Sequence, residues 1–128
     1  MKKTIYGAVF SMLMLVSAVF QQAQAAELIM LEQDACPWCK RWHAQIGPIY
    51  PKTSEGKLAP LRQVNIHKPL PSDLAGLRVE PFTPSFVLME DGIELGRIRG
   101  YPGEELFWWL LSDLIKKLPE NANTDSES

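Results

Sequence analysis

The hydrophobic rhythm of the chain changes several times, and each change marks an element. Glu27 to Glu32 reads Glu-Leu-Ile-Met-Leu-Glu, a short apolar run between polar residues, which predicts a strand buried on both faces. Gln33-Asp34-Ala35 is a loop, and a helix opens at Cys36, with Pro37 suited to its first turn and Lys40 and Arg41 following. Gly47-Pro48 and Pro51 interrupt that helix. Ser54-Glu55-Gly56 reads as a turn, and Leu61 to Ile66 as a second strand with Leu61, Val64 and Ile66 as its apolar positions. The stretch from His67 to Leu77 is rich in proline and serine, with a short helix expected near Ser72.

Ser85 to Met89 is strand-like, Asp91-Gly92 is a hairpin signal, and Ile93 to Arg99 is the returning strand. Alternation slips at Gly96, because Ile93 and Leu95 share one parity and Ile98 takes the other, which predicts a β-bulge. The last helix starts at Pro102, carries Glu104 and Glu105 in its first turn and Lys116 and Lys117 in its last, and presents Phe107, Leu110, Leu111, Leu114 and Leu118 as one apolar stripe. Pro119 ends it. The order is strand, helix, strand, short helix, hairpin, helix. It joins a βαβ start to an antiparallel ββα finish, an α/β domain with a central mixed sheet flanked by helices.

The two ends of the chain stand apart from this domain. Lys2 and Lys3 precede an uncharged stretch from Thr4 to Phe20 and a small-residue exit, Ala23-Gln24-Ala25, the three-part pattern of a secretory signal peptide cleaved before Ala26. Its apolar part is slightly long, so an uncleaved anchor is the alternative. Residues 26–119 then form one domain, and 120–128 a disordered acidic tail with nothing to bury. Without residues 1–25, which hold two of the 13 basic and none of the 15 acidic side chains, the remaining 103 residues are net acidic. No nucleic-acid partner is expected.

The chemistry lies in the only two cysteines, Cys36 and Cys39, within Cys36-Pro37-Trp38-Cys39. A bridge closing so short a loop removes little entropy from the unfolded chain, so it is a poor staple. Zinc would need two further ligands, and the only histidines are His43, expected on a solvated helix face, and His67 near the exit of the second strand. No metal and no separate cofactor are expected. A cysteine opening a helix directly after a strand meets unpaired amides and a partial positive charge, which favour the thiolate. Cys36 is therefore the candidate nucleophile, and Cys39 the resolving thiol that attacks the mixed disulfide. Phe82-Thr83-Pro84-Ser85, just before the third strand, adds a proline at a strand entry.

With the Cys-x-x-Cys, this proline and the closing hairpin and helix in register, the chain resembles the thioredoxin superfamily over about residues 27 to 118. The resemblance implies a thioredoxin fold in which Pro84 is cis and faces the cysteines, and Thr83 offers backbone groups to a substrate strand. It also implies that Gly100 and Tyr101 line the substrate groove, and that Trp38 stands exposed between the cysteines. Cytosolic thioredoxins bury an Asp six residues before the first cysteine, where this chain has Met30. Glu32, on the same strand parity and nearer the cysteines, is the candidate replacement as proton acceptor; its other reading is a solvated strand-end charge.

Cys36-Pro37-Trp38-Cys39-Lys40-Arg41-Trp42 is most similar to the small periplasmic thioredoxins of sulfur-oxidation (Sox) systems. That similarity implies a monomeric periplasmic reductant of a protein disulfide on a sulfur-oxidation carrier protein, with a membrane thiol transporter as electron donor. Trp42 is then either part of the substrate-facing surface or packing between helix and sheet. Two other functions fit the same residues: an oxidant that introduces disulfides, and a non-catalytic thioredoxin-fold adaptor. Retention of both cysteines argues against the adaptor.

Overall fold

The structure, a computed structural model, describes residues 26–119. The expected signal peptide, 1–25, and acidic tail, 120–128, lie outside the described residues. Four strands form one sheet in the order β2-β1-β3-β4, with β1 at Ala26–Glu32, β2 at Leu61–Asn65, β3 at Ser85–Glu90 and β4 at Ile93–Arg99. β1 runs parallel to β2 and antiparallel to β3, which pairs antiparallel with β4. Leu28, Ile29, Met30 and Leu31 are all fully buried, as the unbroken apolar run requires of a central strand.

Alternation along the strands then sorts the core into two clusters. Leu28, Met30, Phe86, Leu88 and Ile98 face α1 (Pro37–Gln45) and α3 (Glu104–Ile115), which contribute Trp42, Phe107 and Leu111. On the other face, Ile29, Leu31, Val64, Val87 and Met89 are covered by Leu74 and Leu77 from the long connection between β2 and β3. That connection holds a single 3₁₀ turn, Ser72–Leu74, docked to β2 by Asp73, whose carboxylate accepts two hydrogen bonds from Arg62 at 2.6 and 2.9 Å.

The β3–β4 hairpin turns through Asp91 and Gly92, both at positive φ (49° and 77°), which explains the Asp-Gly pair. Leu88 pairs with Gly96 but Met89 with Glu94, so Leu95 is the extra residue of the expected bulge. One expectation fails. Ser54-Glu55-Gly56 is not a turn but the start of a short helix, α2 (Ser54–Leu58), because Thr53 caps it by accepting from the Gly56 amide at 3.0 Å. Gly56 is needed for close approach: a Cβ there would lie 1.9 Å from the Tyr50 carbonyl oxygen.

Aromatic rings fill the helical face. Phe107 meets Phe86 edge-on with centroids 4.9 Å apart, and also contacts Trp42, Tyr101 and Trp108. Phe107 is fully buried, so Phe107→Ala removes the hub of this cluster and leaves a cavity. It should lower unfolding stability by about 3–5 kcal/mol, read as a fall in the urea midpoint with the slope unchanged.

Candidate active site

The topology brings three chain ends to one edge of the sheet. The C-terminal ends of β1 and β2 lie side by side because the two strands are parallel, and the N-terminal end of β3 joins them because β3 is antiparallel to β1, with Leu31 opposite Ser85. Gln33, the cysteines, His67 and Thr83 follow or precede those ends directly.

Cys36 is the N-cap of α1, extended at φ −96° and ψ 104°, with Pro37 in the first turn. Ala35 before it, at φ 56°, makes the reversal from strand to helix. Cys36 is half-buried and Cys39 only 4% exposed, and the two are joined as a disulfide. Two donors reach the Cys36 sulfur: the Cys39 amide at 3.1 Å and the Thr83 hydroxyl at 3.2 Å. The Thr83–Pro84 peptide is cis, and Pro84 is buried. Thr83 thus offers its side chain to the site.

Thr83 Oγ1 accepts in turn from Gln33 Nε2 at 2.9 Å, and Gln33 Oε1 lies 2.8 Å from His67 Nε2. Neither Gln33 nor His67 stood out in the sequence as part of the site. A cleft of about 520 Å³ runs beneath the disulfide, lined by Glu32, Gln33, Cys36, Cys39, Lys40 and His43 among others. His43 is partly solvated on α1 and faces this cleft: its Nε2 is 3.2 Å from Glu32 Oε2 and 3.3 Å from Gln63 Nε2, with side chains of His43 and Glu32 34% and 25% exposed. Met30, six residues before Cys36 on β1, is fully buried.

Trp38 stands 52% exposed beside the disulfide, with the Arg41 guanidinium 5.6 Å from its ring centroid. Gly100 lies against the proline loop, its amide donating to the Pro84 carbonyl at 2.7 Å. Tyr101 departs from its expected place in a substrate groove. It is 6% exposed, its ring packs on Phe107, and its hydroxyl donates to Gln45 at the end of α1 at 2.7 Å. Burial pushes its phenol pKa up, with the nearby Glu104 charge acting in the same direction. Trp42 is fully buried between α1 and the sheet and takes no part in the surface. No group of three or more His, Cys, Asp or Glu side chains among the described residues is arranged to hold a metal ion.

The loop leading to Thr83 is moored by Glu80, whose carboxylate accepts three hydrogen bonds from Arg99 at 2.8 to 3.1 Å. Arg78 and Arg97 flank it at 3.4 and 3.7 Å. β4 therefore holds the segment that carries the cis proline.

A half-buried cysteine at a helix N-terminus, its buried partner one turn on and a cis proline beside them define a thiol–disulfide oxidoreductase of the thioredoxin class. Comparison with one solved structure agrees. The crystal structure of the periplasmic thioredoxin SoxS from Paracoccus pantotrophus, in its reduced form, is 46% identical to this chain over 72% of its length and 97% of that protein's, with a TM-score of 0.67. The Malassezia sympodialis thioredoxin Mala s 13 is 21% identical over 70% of this chain and 75% of that one, with a TM-score of 0.49. No protein-family model and no curated protein matches the chain. At 46% identity over nearly the whole of SoxS, the chain belongs to the thioredoxin superfamily.

Glu80 gives the site's mooring a pH signature. Hydrogen bonding from Arg99, reinforced by the charges of Arg99, Arg97 and Arg78, holds its carboxyl below its ordinary value of 4.5. A depressed folded-state pKa adds stability above the unfolded value, and that stability is lost as pH falls through the folded one. Glu80→Gln should therefore flatten the dependence of the thermal midpoint on pH below about 4.5, with little change in slope at neutral pH.

Proposed function

We propose that the chain is a periplasmic reductant of protein disulfides, exported under a signal peptide of residues 1–25 that is then removed, whose substrate is a disulfide formed by a cysteine of a sulfur-oxidation carrier protein. The observation that carries this reading is the unequal burial of the two thiols at one helix N-terminus, together with similarity to a protein described as a periplasmic thioredoxin. Trp38 and the backbone at Thr83, Pro84 and Gly100 supply the surface on which the substrate strand lies.

In the reduced protein the Cys36 thiolate attacks one sulfur of the substrate disulfide. A bond forms between Cys36 Sγ and that sulfur, the substrate S–S bond breaks, and the departing sulfur leaves with the electron pair and takes up a proton. Cys39, having lost its proton, then attacks Cys36 Sγ, which forms the intramolecular disulfide and frees the second substrate thiol. Two electrons pass to the substrate. A membrane thiol transporter returns them by reducing Cys36–Cys39, closing the cycle.

Glu32 is the proton acceptor for Cys39 in this scheme. What supports it is the placing of Glu32 and Cys39 on the same cleft, with His43 beside the carboxylate to share the proton. Met30 leaves no acid deeper on the strand to compete.

Insulin reduction with a dithiol regenerant should be lost in Cys36→Ser, and the Cys36/Cys39 couple should titrate against glutathione near −270 mV, as a reductant's does. A value near −120 mV would make the protein an oxidant, and no activity in either protein would make it an adaptor. Glu32→Gln should shift the pH dependence of disulfide reduction and slow the release of trapped mixed disulfide; an unaltered profile removes Glu32 from the scheme.

A further inference from the structure

Cys36 Sγ is the end of a hydrogen-bonded chain that begins at the surface. Four groups form it: His67 Nε2, the Gln33 amide, the Thr83 hydroxyl and the sulfur, at 2.8, 2.9 and 3.2 Å. The order of donors follows from what each atom can do. A carbonyl oxygen only accepts, so His67 Nε2 carries the proton it shares with Gln33 Oε1. The Gln33 NH₂ then faces Thr83 and donates to its oxygen, leaving the one hydroxyl proton for Cys36. Every bond points toward the sulfur.

The reverse arrangement has a different result at the cysteine. With the Gln33 amide turned over, its oxygen would draw the Thr83 proton away, and Cys36 would keep only the Cys39 amide. A thiolate can only accept, so formation of negative charge on Cys36 selects the observed direction from one end, while a protonated His67 Nε2 selects it from the other. The His67 loop is itself fixed by its amide, which donates to Asn65 Oδ1 at 2.9 Å.

We infer that Gln33 and His67 are positioning residues, which hold the Thr83 hydroxyl as a donor to Cys36 and so raise the share of Cys36 present as thiolate. This deepens the proposed function and rests on Cys36 being the attacking sulfur. The parallel pairing of β1 and β2 is what makes it available, since Gln33 and His67 come from adjoining strand ends 34 residues apart in sequence. Glu32, Lys40 and His43 also border the cleft at Cys36 and act on its charge through space. Their effect is common to all the variants below.

The test is the midpoint of Cys36 alkylation by iodoacetamide against pH, in reduced chains carrying Cys39→Ser. Thr83→Val should raise the midpoint by about one pH unit, and Thr83→Ser should leave it within roughly 0.2 unit of the parent. Gln33→Leu should raise it by about half a unit, and His67→Phe by a smaller amount in the same direction. In the Thr83→Val background neither should add anything, because the chain is already cut. An unmoved midpoint in Gln33→Leu, or an equal rise with and without Thr83→Val, overturns the inference while leaving Cys36 as nucleophile. A parent midpoint at the value of free cysteine overturns both. Circular dichroism of each variant confirms that the fold is retained.

Discussion

The position of β1 is the constraint from which the rest of the molecule follows. Four consecutive side chains of this strand are fully buried, so it must have a strand on either side and a layer over each face. Its C-terminal end is therefore fixed on all sides, and whatever follows it emerges at a defined point. Here Gln33, Asp34 and Ala35 span the gap, and Cys36 is delivered to the first turn of α1. The parallel β2 and antiparallel β3 bring His67 and Thr83 to the same edge without any contact specific to the site.

Magnitudes rank the influences on the Cys36 sulfur. A helix N-terminus stabilises a nearby anion by about 0.3–1 kcal/mol, rising to about 2 where partly buried. A hydrogen bond to a charged group contributes about 1.5–3 kcal/mol. The Thr83 hydroxyl, arriving from a distant loop, is therefore a donor of weight comparable to the end of α1 itself, to which the Cys39 amide belongs. That loop is held in place by Glu80 and by Arg99 of β4, so an ion pair on the neighbouring strand fixes the segment whose hydroxyl reaches the sulfur.

What could be read in the sequence was local. The unbroken apolar run of β1, the Asp-Gly hairpin and the parity slip at Gly96 each write their structure into neighbouring residues, and each was found where expected; the stripe on α3 holds from Phe107 to Leu114, but the helix spans Glu104–Ile115, so Lys116, Lys117 and Leu118 lie past its end. The Cys-Pro-Trp-Cys motif after a strand likewise carries its own context. The failures share a cause. α2 depends on Thr53 reaching the Gly56 amide and on Gly56 lying against Tyr50, and Tyr101 turns inward because Phe107 and Gln45 receive it. His43 and His67 looked solitary because their partners, Glu32, Gln63 and Gln33, are 11 to 34 residues away. Polar pairing across that distance leaves no periodic trace.

The sheet is clad unevenly, with two helices and an aromatic cluster on one face and on the other only the irregular connection between β2 and β3. Local opening needs the least free energy where few apolar groups must be exposed and the backbone has little regular hydrogen bonding. Lengthening such a loop costs little, since closure entropy grows slowly with length. The fold thus has a conservative side and a permissive one: the stretch between Lys68 and Arg78 is where this lineage could gain or shed residues, provided two leucines still cap the sheet, while the thiols opposite are left undisturbed.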